Sequence, residues 1–144
     1  MKNQTIIGNI LFTLTISCFP QKNGIVSPTP KKFHIVEVIN REQDSFTQGL
    51  AYHDGYLYEG SGITGLSEIK KIDLNTQKIL KRKPLSDICS PTVKGSCFGE
   101  GITILNEVLY QLTWYDERIH LYDASTLKWL ASYPLKGQGW GITN

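Results

Sequence analysis

Three observations predict an all-β fold built from repeated four-stranded units: the composition, a hydrophobic alternation and an internal repeat. The 144 residues include 3 Trp, 7 Tyr and 5 Phe among 13 Gly and 6 Pro. This composition favours short strands joined by tight turns over long helices. From residue 108 to residue 114, two sets of side chains alternate, as a strand in a stacked sheet requires. One set is Val108, Tyr110, Leu112 and Trp114, and the other is Leu109, Gln111 and Thr113.

The internal repeat is visible at three glycine triplets. Gln48-Gly49-Leu50 recurs as Glu100-Gly101-Ile102 and as Trp140-Gly141-Ile142, so the glycines are 52 and 40 residues apart. The pair Leu57-Tyr58 recurs as Leu109-Tyr110, again after 52 residues. A period in this range, with four strand-like segments per unit, is typical of a β-propeller blade.

The predicted strands follow in chain order. A leading strand at 33–39 precedes a first unit at 47–83, in which Asp54-Gly55 is the predicted hairpin turn. Residues 84–97 are an insertion. The four strands of the second unit are predicted at 99–105, 107–113, 117–123 and 127–133, and a third unit begins at 139–143.

Two units with flanking strands are fewer than the four blades that a closed propeller needs at least. Residues 33–144 are therefore predicted to form an incomplete propeller of about two blades. Its unpaired edges and unstacked blade faces favour self-association.

The first residues are typical of an export signal at 1–18, in which a mostly apolar run at 6–16 is too short to span a bilayer as a helix. The run ends in Thr15-Ile16-Ser17-Cys18, which approximates the bacterial lipobox and predicts lipidation of Cys18. Thr15 departs from the usual Leu, so simple secretion and an uncleaved anchor stay open. The chain is expected to be exported, as a periplasmic protein or a membrane-anchored lipoprotein of the bacterial cell envelope.

Residues 19–32 are polar and contain two prolines, which predicts an extended linker between the signal and the folded part. Charged residues make up 19% of the chain and the formal net charge is +2, so nothing favours a nucleic-acid partner.

The cysteines predict one disulfide. Once Cys18 is assigned to the lipid, Cys89 and Cys97 form an even pair, and an exported compartment permits a bond between them. A loop this short is worth roughly 2 to 3 kcal/mol in the chain-entropy treatment. A zinc pair is disfavoured because the three histidines are scattered, so we expect no metal and no cofactor.

Five motifs in register resemble the plant- and bacterial-type glutaminyl cyclases, a family of five-bladed propellers. The likeness covers residues 33–144. The motifs are Phe46-Thr47-Gln48-Gly49-Leu50, Leu57-Tyr58-Glu59-Gly60-Ser61-Gly62 with Gly65-Leu66-Ser67, Phe98-Gly99-Glu100-Gly101-Ile102-Thr103, Leu109-Tyr110-Gln111-Leu112-Thr113-Trp114 and Gly139-Trp140-Gly141. The resemblance implies an enzyme that acts on peptides or proteins with an N-terminal glutamine, converts that residue to pyroglutamate and releases ammonia.

The resemblance also assigns site residues. Glu100 matches the acidic position of the family and is expected to carry a proton from the attacking amine to the departing nitrogen. Phe46, Gln48, Trp114 and Trp140 are expected to bind the substrate, the indoles excluding water that would hydrolyse the amide. From spacing alone, Glu100 also fits a solvated turn and the two tryptophans fit core filling. Gln48 also fits a buried hydrogen-bonding role without substrate specificity.

Other acidic residues have structural interpretations. Glu59 is the acidic rival of Glu100 and is expected to brace the pocket or a blade interface. Asp73 and Asp123 recur at equivalent places, which predicts turn capping.

The family draws further pocket residues, an aromatic, an amide and a lysine, from blades that would follow Trp140, and this sequence ends before them. The alternative function is therefore an inactive propeller fragment that binds a peptide or a partner.

Overall fold

The computed structural model describes residues 32–35, 38, 45–90 and 94–144. Residues 1–36 and 37–144 form two separate units. Within the first unit, residues 32–35 are exposed and have no regular secondary structure. The predicted signal peptide, the lipidation at Cys18 and the linker up to residue 31 lie outside the described residues.

Of the predicted leading strand at 33–39, the structure describes residues 33–35 and 38, and none of these residues lies in a strand. Its other residues lie outside the described ranges. Among the described residues, no helix has the length and apolar character to cross a bilayer.

The second unit contains two four-stranded antiparallel sheets, in which strands adjacent in sequence are hydrogen-bonded neighbours. This confirms the all-β class and the two predicted repeats. The first sheet consists of β1 (Thr47–His53), β2 (Tyr56–Ser61), β3 (Glu68–Asp73) and β4 (Lys78–Pro84), and the second of β5 (Gly99–Leu105), β6 (Val108–Thr113), β7 (Arg118–Asp123) and β8 (Trp129–Pro134). Between the sheets, a short 3-10 helix covers Leu85–Asp87.

The register of the strands reproduces the repeat. Leu50 pairs with Glu59 in the first sheet, and the residues 52 positions later, Ile102 and Gln111, pair in the second. The first strand of each sheet, β1 or β5, is called its inner strand. Each inner strand has a register shift near its start, between Thr47 and Gly49 in β1 and between Gly99 and Ile102 in β5.

The β1–β2 turn is the predicted hairpin at Asp54-Gly55. Both residues have positive φ, 49° and 84°, which is the backbone of a type I′ turn. In the second sheet, Asn106 and Glu107 adopt the same conformation, with φ of 50° and 63°.

The core lies between the two sheets. Tyr58 and Ile69 from the first sheet pack with Ile102, Leu109 and Tyr122 from the second, and all five are at most 3% exposed. Burying a side chain of this size stabilises the fold by roughly 1.5 to 3 kcal/mol.

Tyr58 also makes a polar contact across the sheet interface. Its hydroxyl donates a hydrogen bond to the carbonyl oxygen of Ala124 at 2.9 Å. Burial, aided by nearby carboxylates, raises the pKa of Tyr58 to about 12. Tyr58 therefore acts as a neutral donor that fixes the first sheet on the second.

The repeated glycines let β1, β5 and residues 139–144, together called the inner segments, approach one another closely. A Cβ built on Gly49 would lie 2.5 Å from the amide nitrogen of Ile102, and one built on Gly101 would lie 2.5 Å from the carbonyl oxygen of Trp140. The Gly101 amide donates a hydrogen bond to that same oxygen at 2.8 Å. Residues 139–144 thus run beside β5, as β5 runs beside β1, without forming a strand.

Equivalent apolar side chains on β1 and β5 differ in their exposure. Leu50 and Tyr52 on β1 are 60% and 68% exposed, whereas Ile102 and Ile104, 52 positions later, are 3% and 8% exposed. The same positions are therefore buried where a second sheet covers them. Self-association through such faces stays a prediction.

The close approach at Gly49 can be tested by adding one methyl group. Gly49→Ala should lower the free energy of unfolding by about 2 kcal/mol, because the new Cβ meets main-chain atoms of β5 that cannot move aside. The matched control is Gly141→Ala, at the equivalent place in the third repeat, where a Cβ would meet nothing within 4 Å.

Urea unfolding followed by circular dichroism measures both variants. The control should stay within about 0.5 kcal/mol of the wild type. Equal losses of unfolding free energy in the two variants would contradict the role assigned to the close approach of β5 at Gly49.

Candidate active site

The candidate site is formed at the starts of β1 and β5 and at the segment before Gly141. Gln48, Glu100 and Trp140 each precede a glycine of the repeat and so occupy the same place in successive inner segments. Phe46 and Phe98 lie two residues before Gln48 and Glu100. The carbonyl oxygens of Phe46 and Phe98 accept hydrogen bonds from the Gly62 and Trp114 amides at 2.9 and 3.1 Å.

A chain of aromatic rings connects four of these residues. Phe46 meets Phe98 edge to face with ring centroids 6.4 Å apart, and Phe98 meets Trp114 in the same way at 5.4 Å. Trp114 and Trp140 are tilted against each other at 5.8 Å. The structure thus brings Phe46, Trp114 and Trp140 together, as the resemblance implies for a pocket wall.

Gln48 belongs to the same group. A Cβ built on Gly62 would lie 2.4 Å from Cε1 of Phe98 and 2.6 Å from Cγ of Gln48, so both side chains pack against the Gly62 main chain. Gln48 is half-buried. The Gln48 side chain therefore lies beside Phe98, and the residue is partly exposed.

The side chain of Glu100 is 3% exposed. Within the described residues, its carboxylate accepts no hydrogen bond and forms no ion pair. Burial raises the pKa of Glu100 above its ordinary value, because removal from water disfavours the charged form. The solvated turn that spacing alone allowed is thus wrong for Glu100.

Glu59 is equally buried, at 3% exposure, but it is fully engaged. One carboxylate oxygen accepts a hydrogen bond from the Ser45 hydroxyl at 2.8 Å and another from Thr47. The other oxygen lies 3.7 Å from Nζ of Lys70, which is itself 3% exposed. The partners of Glu59 indicate a structural brace.

The repeat supports that interpretation. Glu59 pairs with Lys70 across β2 and β3, and the equivalent pair across β6 and β7 is Gln111 with His120. Burial lowers the pKa of His120 to about 4, so that the second pair is neutral at pH 7. Each sheet therefore uses this position for a buried cross-strand polar pair.

The remaining sequence predictions concern turns, cysteines and metals. Asp73 accepts hydrogen bonds from the amides of Asn75 and Thr76, and Asp123 accepts one from the amide of Thr126, so both aspartates cap turns.

Cys89 and Cys97 are joined by a disulfide, with Cα atoms 5.9 Å apart. No group of three or more His, Cys, Asp or Glu side chains in the described ranges is arranged to bind a metal.

Two contacts of Trp114 were not predicted from the sequence. Tyr115 stacks on the indole, with ring centroids 4.2 Å apart. The indole N–H donates a hydrogen bond to Oε1 of Gln138 at 3.0 Å. The adjacent aromatic pair Trp114-Tyr115 was a signal that could have been followed, whereas nothing in the sequence marks Gln138.

Fold and site together define a class of protein: a β-propeller with a buried acid on β5 and a chain of aromatic rings formed by Phe46, Phe98, Trp114 and Trp140. The family model described as "Glutamine cyclotransferase" matches residues 10–144. The chain therefore belongs to the glutamine cyclotransferase family.

Two relatives agree with this assignment. Over 137 residues, the chain is 28% identical to a glutaminyl-peptide cyclotransferase of Arabidopsis thaliana, a match that covers 92% of this chain and 40% of the relative. The crystal structure of a glutaminyl cyclase of Myxococcus xanthus superposes with a TM-score of 0.60 at 23% identity, covering 77% of this chain and 44% of the other. The predicted resemblance is confirmed, and the chain spans less than half the length of either relative.

The two buried glutamates should respond in opposite ways to the loss of their charge. Because the pKa of Glu100 is raised in the folded chain, the group favours folding only at low pH, and this contribution is lost as the pH rises through the folded pKa. Glu100→Gln should therefore raise the free energy of unfolding at pH 7. The gain should vanish below the ordinary glutamate pKa of about 4.3.

Glu59→Gln should instead lower the free energy of unfolding at pH 7 by about 2 kcal/mol, because it weakens the partner of a buried lysine. Urea unfolding of both variants and the wild type at pH 7 and near pH 4 measures the two effects. Destabilisation by both substitutions at pH 7 would show that Glu100 has a stabilising partner.

Proposed function

We propose that this chain provides the catalytic acid and one wall of a glutaminyl cyclase site. The reaction converts the N-terminal glutamine of a peptide or protein to pyroglutamate and releases ammonia. The observation that carries the proposal is the buried carboxylate of Glu100, which is 3% exposed and has no hydrogen-bond or ion-pair partner among the described residues. Its place in the sequence, two residues after Phe98, which belongs to the chain of aromatic rings, supports the same function.

The chemistry requires the transfer of one proton. The neutral α-amine of the substrate attacks its own γ-amide carbonyl carbon, forming a new C–N bond, and the bond from that carbon to the amide nitrogen breaks. The attacking nitrogen loses one proton and the departing nitrogen gains one. Glu100 takes the first proton as a carboxylate, returns it to the leaving group and so regains its initial state.

The raised pKa of Glu100 suits this task. A carboxylate with an ordinary pKa is a weak base at neutral pH, and a raised pKa makes proton uptake from the amine more favourable. Glu59 is less suited, since its carboxylate is held by Ser45, Thr47 and Lys70. The proposal therefore assigns proton transfer to Glu100 alone.

The aromatic residues are proposed to hold the glutamine side chain and to keep out water that would hydrolyse it. Trp140 and Phe46 are 58% and 57% exposed, so their rings are accessible to a ligand. Gln48 is proposed to hydrogen-bond the peptide terminus, because an amide can donate to and accept from it. The remaining pocket walls are expected from further blades of the propeller, as the family implies.

Ammonia release from a glutamine-initiated peptide tests the function. The wild-type chain should release ammonia, and Glu100→Gln should lower kcat/KM by about 100-fold or more, which is the usual contribution of a general acid–base. Glu107→Gln is the matched control, because the side chain of Glu107 is 74% exposed. The same peptide with an acetylated N-terminus should release no ammonia.

Equal rates for the wild type and Glu100→Gln would remove the shuttle role from Glu100. Binding of the unblocked peptide by the wild type, with no ammonia released, would favour the alternative of a peptide-binding fragment.

A further inference from the structure

Trp114 is fixed by contacts on several sides. Its indole N–H donates to Gln138 at 3.0 Å, and an indole has no other polar hydrogen. Tyr115 stacks on it with ring planes only 18° apart, so one face of the indole is covered. Trp114 can therefore offer a ligand only those parts of its other face and ring edges that Phe98 and Trp140 leave open.

Tyr115 in turn contacts the main chain at Gly95. A Cβ built on Gly95 would lie 2.0 Å from Cδ2 and 2.5 Å from Cε2 of Tyr115. Any larger residue at position 95 would displace the Tyr115 ring. Tyr115 thus contacts the Gly95 main chain and the Trp114 indole at the same time.

The segment Gly95–Cys97 is itself anchored at three points. The disulfide joins Cys97 to Cys89. The Gly95 amide donates a hydrogen bond to Oγ1 of Thr64 at 3.1 Å, and the Cys97 amide donates one to Oδ2 of Asp116 at 2.7 Å. Since Asp116 directly follows Tyr115, this last bond fixes the anchored segment beside the stacked ring.

We propose that Tyr115 is a positioning residue for Trp114, held in place by the disulfide-closed segment Gly95–Cys97. This inference deepens the proposed function and rests on it, since Trp114 is taken as a wall of the peptide pocket. An indole fixed before the peptide arrives loses less conformational freedom on binding. In this proposal Tyr115 acts on the substrate only through the indole, so loss of the stack should raise KM and leave kcat nearly unchanged.

The test uses the full chain labelled with 5-fluorotryptophan. The sequence contains three tryptophans, Trp114, Trp129 and Trp140, and single Trp→Phe variants assign their fluorine resonances. Tyr115→Leu removes the stacked ring and should shift the Trp114 resonance, whereas Tyr115→Phe keeps the ring and should leave it in place. Trp129, which donates a hydrogen bond to Ser132 on β8, is the internal control and should not shift.

Two glycine substitutions distinguish the effect of contact with Tyr115 from the effect of backbone strain. Gly95 and Gly55 both have left-handed backbones, with φ of 91° and 84°, but a Cβ on Gly55 would meet nothing within 4 Å. Gly95→Ala and Gly55→Ala therefore carry similar strain, and only Gly95→Ala presses on Tyr115. The Trp114 resonance should shift in Gly95→Ala alone.

The disulfide is tested by the double substitution Cys89→Ser with Cys97→Ser, which should also shift the Trp114 resonance. A double variant that keeps the wild-type resonance would overturn the part assigned to the disulfide. An unchanged Trp114 resonance in both Tyr115→Leu and Gly95→Ala would overturn the positioning role.

The link to substrate is measured on the glutamine-initiated peptide. Tyr115→Leu and Gly95→Ala should raise KM about tenfold while kcat stays within about twofold of the wild type. A shifted resonance with unchanged KM would remove Trp114 from the pocket. The resonance is read without turnover, so an inactive wild-type chain would refute the proposed function while the shifts still decide the positioning role.

Discussion

The close approach of successive inner segments at the repeated glycines is the constraint on which the rest of the structure depends. At Gly49 and Gly101, the next segment lies nearer than a Cβ would allow. That spacing sets how the second sheet stacks on the first, and so determines which side chains form the core. It also fixes where the residue before each glycine stands, and these residues are Gln48, Glu100 and Trp140.

In the proposed site, the repeated position that these three residues occupy serves both structure and function. Some structural positions keep their chemistry from one repeat to the next, as Asp73 and Asp123 do when each caps a turn. The position before the glycine instead carries an amide, an acid and an indole in turn. Equal geometry with different chemistry is what a site shared between blades requires, because each blade then contributes a different functional group.

The sequence predicted the strands, the Asp54-Gly55 turn and the repeat, because periodicity and turn residues are local signals. Its assignment of Glu100 and the aromatic residues to a substrate site came from their motifs and stays a prediction. Only the resemblance separated Glu100 from Glu59, since both stand next to glycines and the difference in their partners depends on contacts from other parts of the chain. The contact of Tyr115 with Gly95 was equally hidden, because side chains 20 positions apart in loops follow no period.

The burial of Glu100 links the fold to the proposed chemistry. An acid without a partner costs stability, and a sequence selected for stability alone would have replaced or paired it, as it paired Glu59 with Lys70. The burial that creates this cost also raises the pKa of Glu100. Since Glu100 is 3% exposed in this chain as it stands, the environment of the acid needs no further blade. In the proposed site, additional blades would instead complete the walls around the rings of Phe46 and Trp140, which are exposed here.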